Sequence, residues 1–207
     1  MKSVLLLATL CSLLILPGFT GEVPGTTEHA AIAGYEVDMA HSTVQFKVRH
    51  LGIANVTGEF TSFNANLEME PGDLSTLRAS ARIDVASVDT GNETRDADLR
   101  SENFFDVENH PYLRFRSSGV PDVSGNSFKL AGELTIHGVT KPVVLEAELL
   151  GTAEGPDGSE RIGIEASTTI DRRDFGLTWN NLTEAGGVIV GHDVEITIEI
   201  EAARIEA

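Results

Sequence analysis

The sequence has almost no cysteine, few aromatic residues and few basic residues. Cys11 is the only cysteine among 207 residues, and it lies in an apolar N-terminal stretch, so the rest of the chain has no disulfide and no thiolate chemistry. Asp and Glu outnumber Lys and Arg by 32 to 15, for a formal net charge of −17. This charge argues against a nucleic-acid partner, because phosphates need Lys and Arg, and against tight adsorption to anionic lipid. We therefore expect only transient membrane contact.

The N-terminus predicts a secretory signal peptide over residues 1–21. Lys2 supplies a positive charge, and the apolar stretch 4–17 is short for a membrane span. The cleavage position stays open, and a lipid anchor at Cys11 is the less favoured alternative. Residues 22–34 lack strand periodicity and predict a flexible lead-in to a domain over 35–207.

From Tyr35 onward, apolar and polar residues alternate with a period of two, which is typical of strands with one dry face. The pattern predicts about eight antiparallel strands and an all-β fold closed into a barrel, with a β-sandwich as the structural alternative. Turn sequences separate the strands at 71–73, 124–126, 155–158 and 184–187. The predicted strands contain Val44–Val48, Phe63–Met69, Leu77–Val85, Leu113–Phe115, Phe128–Ile136, Val143–Leu149, Ile162–Ile170 and Val194–Ile200.

One long segment, Asp89–Val107, interrupts this pattern with charged residues and the pair Phe104-Phe105. A loop of this length in a β domain usually acts as a lid, plug or crossover. Asn92 or Thr94 can cap a helix that continues through Leu99. We therefore expect a short helix within 92–105, across one end of the barrel.

Several predicted inward positions carry small residues. An eight-stranded barrel encloses just enough room for side chains or for one ligand, and small inward residues favour the ligand. The alternative is that large neighbours such as Phe46, Phe63 and Phe115 fill the space, because protein interiors are close-packed. The small positions are Ala65, Ala79, Ala81, Gly132, Ala147 and Ala166.

No motif predicts catalysis, a metal site or a cofactor. Asp89-Thr90-Gly91 spells an aspartic-protease tripeptide but has no second copy, and Asp174-Phe175-Gly176 lacks the other kinase motifs. No histidines stand at metal-ligand spacing, although strand ends can bring His41, His137 or His192 together.

Six arginines lie near the lid segment and the strand ends. They can receive an anionic head group through bidentate contacts, or they can neutralise neighbouring aspartates, which we favour. They are Arg95, Arg100, Arg114, Arg116, Arg172 and Arg173.

Taken in order, these residues resemble the YceI-like polyisoprenoid-binding family of secreted bacterial proteins. The resemblance covers nearly the whole domain, and its most specific parts are the GVTKP run and the R-D-x-x-L-R-S-x-x-F-F segment. The matching pieces are D-x-x-H-S-x-V-x-F-x-V-x-H at 38–50, G-x-F at 58–60, V-D-T-G at 88–91, the segment 95–107 with Pro111, G-x-L-T-I-H-G-V-T-K-P at 132–142 and D-R-x-D-F-G at 171–176. Asp98 and Arg173 depart from the family pattern.

The resemblance implies a lipocalin-like barrel whose lumen holds an isoprenoid chain, a periplasmic or secreted location and often a homodimer. It suggests a non-enzymatic carrier or store for a polyprenyl lipid or isoprenoid quinone. A hydrolase of small hydrophobic esters or amides and a ligand-free stress-related structural protein are the alternatives. We predict tail contacts from Val44, Phe46, Val48, Phe63, Leu67, Phe115, Leu134, Ile136 and Ile164, and gates at the mouth from Phe104, Phe105, Phe175 and Trp179.

Overall fold

The computed structural model describes residues 31–181 and 188–205. The predicted signal peptide, most of the lead-in and the turn at 184–187 lie outside these residues. The elements are β1 (Ala33–Val37), β2 (Thr43–His50), β3 (Ala54–Phe60), β4 (Phe63–Glu70), β5 (Asp73–Asp84), β6 (Val88–Asp89), α1 (Glu93–Arg100), β7 (Tyr112–Ser124), β8 (Ser127–Ile136), β9 (Val139–Glu154), β10 (Glu160–Asp171) and β11 (Val190–Arg204).

The strands form one antiparallel barrel of eight staves. β5, β7, β8, β9, β10 and β11 pair in chain order, and β11 closes the barrel by pairing with both β1 and β2. β3 pairs with β2, and β4 pairs with β1. β1 with β2, β3 with β4, and β5 with β6 therefore each form one interrupted stave. The predicted eight-stranded all-β barrel is confirmed, although it consists of eleven strand segments.

Short irregularities interrupt two of these staves. A 3-10 turn at Met39–His41 separates β1 from β2, and another at Val85–Ser87 separates β5 from β6. In both, the preceding aspartate, Asp38 or Asp84, accepts a hydrogen bond from a backbone N–H of the turn.

The barrel begins earlier than the sequence pattern predicted. Ala33 and Gly34 pair with Met69 and Glu68 in β4, two residues before the predicted start of the domain at Tyr35. β1 has only five residues and follows the apolar run 30–33, which does not alternate, and this hides its start from pattern analysis. Among the described residues, no helix has the length and apolar character to cross a membrane.

Side chains alternate between the lumen and the surface as a period of two requires. In β8, Phe128, Leu130, Leu134 and Ile136 are buried, whereas Lys129 and the other intervening residues are more exposed. The buried residues form two clusters, one around Tyr35 and Phe128 and one around Val85 and Phe175, near opposite ends of the barrel.

The predicted helix is present as α1, whose N-cap Asn92 accepts a hydrogen bond from the Arg95 N–H at 3.0 Å. Asp96 is 6% exposed and accepts a hydrogen bond from the Thr90 N–H at 3.0 Å. Arg100 donates to the carbonyl oxygens of Ala86 at 2.8 Å and Val88 at 2.6 Å. These bonds fix α1 to β6 and place the segment after it over one end of the barrel.

Candidate functional site

An apolar cavity of about 210 Å³ runs through the barrel interior. Its lining on β8 extends from Phe128 to Ile136. At a rise of about 3.4 Å per residue and a strand tilt of about 40°, this corresponds to roughly 20 Å along the barrel axis. The cavity is therefore long and narrow, and we call it the lumen.

Small inward residues contribute to the wall of this space. Ala65, Ala79, Ala81, Ala147 and Ala166 all line the lumen, as the alternation predicted. Gly132 is different, because a Cβ atom built there would lie 2.6 Å from the ring of Phe115, which occupies that space. Phe46, Phe63 and Phe115 line the lumen without filling it.

Eleven of the thirteen residues predicted from the sequence line the lumen. Their contact with a ligand stays a prediction. They are Val44, Phe46, Val48, Phe63, Leu67, Phe104, Phe105, Phe115, Leu134, Ile136 and Ile164.

The structure does not bring the other two predicted residues to the lumen. Phe175 is 2% exposed and packs in the core cluster around Val85, where Gly176 reverses the chain with φ of 80°. Trp179 is half-buried, and its ring packs on Phe104 with 5.0 Å between ring centroids. Trp179 therefore packs against Phe104, which lines the lumen, without lining the lumen itself.

The tail contacts predicted from the sequence include no residue of β11, although this strand forms one wall of the lumen. Val194, Ile196, Ile198 and Ile200 in β11 line it, and their alternation is visible in the sequence. Leu177 and Val190 also line it, but they flank a segment without periodicity and gave no signal.

The Asp89–Val107 segment covers the end of the lumen that we call the rim. Leu99, Phe104 and Phe105 all reach the lumen. Phe105 packs edge-on against Phe60 with 6.0 Å between ring centroids, and Phe60 packs against Phe46 at 5.6 Å. These aromatic contacts join the segment to the barrel wall.

Arg172 is the only charged residue among the described residues that line the lumen. It is 3% exposed, and burial lowers the pKa of its guanidinium. The guanidinium donates to the carbonyl oxygens of Gly191 at 2.8 Å, Val190 at 3.4 Å and Leu177. Within the described residues, these bonds use three of its five N–H groups.

The other arginines that we considered for a head group have different partners. Arg95 donates to the hydroxyl of Thr90 at 2.7 Å and to its carbonyl oxygen at 2.9 Å. Arg173 pairs with Asp171, and its hydrogen bonds lower the pKa of Asp171 to about 2. Arg114 lies on the outer wall, within 5.6 Å of the centroid of the Tyr112 ring. None of these three lines the lumen.

A YceI-like domain model matches residues 35–202 of the chain. The protein belongs to the YceI-like family. A Staphylococcus aureus N315 relative, the UPF0312 protein SA2479, is 34% identical over 171 residues, which are 82% of this chain and 97% of that protein.

Several solved structures share the fold. The Campylobacter jejuni YCEI protein is 34% identical, with a TM-score of 0.67 over 76% of this chain and 90% of that one. Burkholderia cenocepacia BcnA gives a TM-score of 0.70 at 24% identity over 80% and 98% of the chains. A polyisoprenoid-binding domain from Saccharophagus degradans is 16% identical, with a TM-score of 0.59 over 82% of this chain and 97% of that one. The last two similarities show the shared fold alone.

Proposed function

We propose that this YceI-like protein binds and carries or stores a long-chain isoprenoid lipid, a polyprenyl lipid or an isoprenoid quinone, without catalysing a reaction. The observation that carries the proposal is the long lumen lined almost wholly by hydrocarbon side chains. Its volume of about 210 Å³ exceeds the ~150 Å³ that is enough for benzene in an engineered protein cavity. The polyisoprenoid binding of the Saccharophagus degradans domain supports the ligand class.

The energetics suit a reversible carrier. Each methylene group removed from water contributes ~0.8 kcal/mol, so an isoprenoid tail has a strong preference for the lumen over water. The relevant exchange is with a bilayer, whose interior is equally apolar. Transfer between the two is therefore nearly neutral in free energy, and a lipid can be both taken up and released.

Arg172 supplies the polar contact for the head group. Its side chain lines the largely apolar lumen, and within the described residues three of its five N–H groups are bonded to backbone carbonyls. A phosphate or a quinone carbonyl accepts such hydrogen bonds, whereas a pure hydrocarbon does not. We therefore place the head group at Arg172 and the tail toward Phe128.

The β2–β3 hairpin provides the contact with a membrane. Leu51 and Ile53 at its tip are 43% and 84% exposed. The tip adjoins the lumen, because Val48 and Val190 line the lumen and the Leu51 N–H donates to the Ile189 carbonyl oxygen at 2.8 Å. Two exposed apolar side chains on a chain of net charge −17 favour shallow, transient insertion.

The chemistry of the lining favours binding over hydrolysis. Ester or amide hydrolysis needs a nucleophile and a general base within hydrogen-bond reach of the substrate. Among the described residues that line the lumen, none is a histidine, an aspartate, a glutamate or a cysteine. A packed structural protein, the third possibility, needs no lumen of this size.

The test is lipid extraction from the purified protein, followed by mass spectrometry of the extract and native mass spectrometry of the intact complex. We expect one isoprenoid lipid per chain. A screen with hydrophobic esters and amides, with and without chelator, is run in parallel. The proposal would be refuted if no lipid were bound after reconstitution with polyprenyl phosphate and with quinone. Steady turnover of an ester or amide in the screen would refute it as well. The periplasmic or secreted location and the homodimer stay predictions.

A further inference from the structure

Three potential metal ligands meet outside the lumen, at the rim of the barrel. Asp106, His110 and His137 each offer one ligand atom, and these atoms all lie within 4.8 Å of one another. The two imidazole rings are in contact, with 4.5 Å between centroids and planes 63° apart. The spacing of histidines in the sequence did not predict this pair, because 27 positions separate two segments that only the barrel brings together.

The backbone holds all three side chains in an unusual arrangement. Asp106 and His137 have φ of 49° and 51°, and they are two of the three non-glycine residues with positive φ in the described part of the chain. The His110 N–H donates to the Asp106 carbonyl oxygen at 2.8 Å, which closes a turn joining those two ligands. Two left-handed residues at one cluster indicate that the local structure fixes these positions.

Two glycines make room for the imidazole rings. A Cβ atom at Gly138 would lie 2.8 Å from Cε1 of His110, and a Cβ atom at Gly176 would lie 3.2 Å from Nδ1 of His137. Both glycines have positive φ, 74° and 80°. A larger residue at Gly138 would therefore displace the His110 ring.

Within the described residues, neither imidazole takes part in a hydrogen bond or an ion pair. The Asp106 carboxylate accepts two hydrogen bonds from the Asn109 side chain, at 2.9 and 3.1 Å. A carboxylate has about four acceptor positions, so the carboxylate keeps the capacity to bind a cation. The cluster thus has two free imidazoles and an available carboxylate.

We propose that Asp106, His110 and His137 bind a divalent transition-metal ion, with Zn²⁺ the best match. Two imidazoles and one carboxylate suit Zn²⁺ and its first-row neighbours, whereas Ca²⁺ and Mg²⁺ prefer oxygen ligands alone. Ligand atoms of a tetrahedral site at about 2.0–2.1 Å from the ion are about 3.4 Å apart, so the three side chains need to close by at most about 1.4 Å. Three protein ligands leave a coordination position open.

The second cluster of this kind in the described residues is already paired with the positively charged side chain of an arginine. Asp38, His41 and Glu201 also bring ligand atoms within 4.8 Å of one another. Arg161 lies against them, however, with Nη1 2.9 Å from the Asp38 carboxylate and 2.8 Å from the Glu201 carboxylate. The guanidinium already contacts both carboxylates and competes with a metal ion there, so His41 serves as a matched control.

The metal site lies next to the lumen but is independent of the lipid proposal. Phe105 and Ile136 line the lumen, and Asp106 and His137 are the residues that follow them. The inference does not require a lipid, because the ion is tested alone.

The experiment uses the purified protein without an affinity tag, stripped with chelator. Zn²⁺ affinity is measured by competition with a chromophoric chelator, and Co²⁺ is added as a spectroscopic probe of coordination. The variants are Asp106→Asn, His110→Asn and His137→Asn, because asparagine tolerates positive φ and removes the ligand. Circular dichroism checks that each variant folds.

We expect one equivalent of Zn²⁺ per chain, a Co²⁺ spectrum of a low-coordinate site, and at least tenfold weaker Zn²⁺ binding in each variant. His41→Asn should leave the affinity unchanged. A further variant combines the three asparagine substitutions and gives the background binding. The proposal would be overturned if Zn²⁺ bound equally well to the wild type and to folded His137→Asn, if binding were lost in His41→Asn instead, or if the wild type bound no more Zn²⁺ than the combined variant.

Discussion

Phe46 and Gly58 are direct cross-strand partners in β2 and β3, and the Phe46 ring lies over the Gly58 backbone. A Cβ atom at Gly58 would lie 2.4 Å from Cζ of Phe46 and 2.7 Å from Cγ2 of Thr90. The glycine therefore lets the phenyl ring turn toward the wall and leaves the middle of the lumen open. The Phe115 ring of β7 likewise lies over Gly132 of β8, although the direct cross-strand partner of Phe115 is Leu134.

Gly58→Ala should narrow the lumen at the rim. The added methyl group forces the Phe46 ring inward, and overpacking of this kind costs roughly 1–3 kcal/mol of unfolding free energy. Urea unfolding and lipid occupancy measure the two effects. Gly163→Ala is the control, because its nearest contact would be an ordinary 3.5 Å from Leu150. Equal behaviour of the two variants would contradict the role of Gly58.

Ala166→Leu should reduce the amount or the length of the bound tail. Ala166 is 6% exposed and lines the lumen, so a larger side chain there occupies ligand space. Glu165→Leu places the same side chain one residue away, on the outer face of β10. Native mass spectrometry after reconstitution compares the two proteins. Undiminished tail length and occupancy in folded Ala166→Leu would place the ligand elsewhere.

Arg172→Lys should destabilise the protein and weaken the binding of head groups that accept hydrogen bonds. A lysine keeps the charge but lacks the planar guanidinium, so the carbonyl oxygens of Leu177 and Gly191 lose their hydrogen-bond donors. This loss should lower the unfolding free energy by roughly 1–3 kcal/mol. Arg173→Lys, at the exposed neighbour paired with Asp171, should leave the unfolding free energy nearly unchanged. Denaturant unfolding and competition between polyprenyl phosphate and the free polyprenyl alcohol provide the measurements.

Ile53→Asp should slow the transfer of lipid from vesicles without changing occupancy at equilibrium. The side chain is 84% exposed, so the change leaves the core intact and removes apolar contact with the bilayer. Leu150→Asp, at a 60% exposed position on β9, is the matched control. A fluorescent isoprenoid in donor vesicles reports the rate. Identical rates in both variants would exclude the hairpin tip as the point of contact.

Tyr35→Phe should make unfolding free energy less sensitive to alkaline pH. Burial and a 2.8 Å hydrogen bond donated to Glu160 raise the pKa of Tyr35 to about 12 from the ordinary 10.0. The neutral phenol therefore contributes stability that is fully present below pH 10 and is lost as pH rises toward 12. Urea titrations at pH 8 and above should show the difference between the two proteins shrinking. A constant difference would refute this linkage.

Local patterns predicted the elements well where one face of a strand is dry. Alternation in β5, β8 and β10 marked their inward residues correctly, and the Asn92 cap marked α1. The start of β1 escaped detection because the strand is short and follows an apolar run without alternation. Phe175 packs in the core cluster around Val85, and proximity to the rim in the sequence says nothing about which way a turn faces.

By itself, the sequence determined about eight strands with one dry face, the small residues at their inward positions and the resemblance to the YceI-like family. Those properties depend on alternation and on short motifs, which neighbouring residues carry along the chain. Only the tertiary structure decided that Arg172 reaches the lumen, that Phe46 folds back over Gly58 and that His110 meets His137. These contacts join residues from separate segments of the chain. Their geometry is set by the closure of the barrel and by the left-handed turns at its rim, so it cannot be predicted from a local sequence pattern.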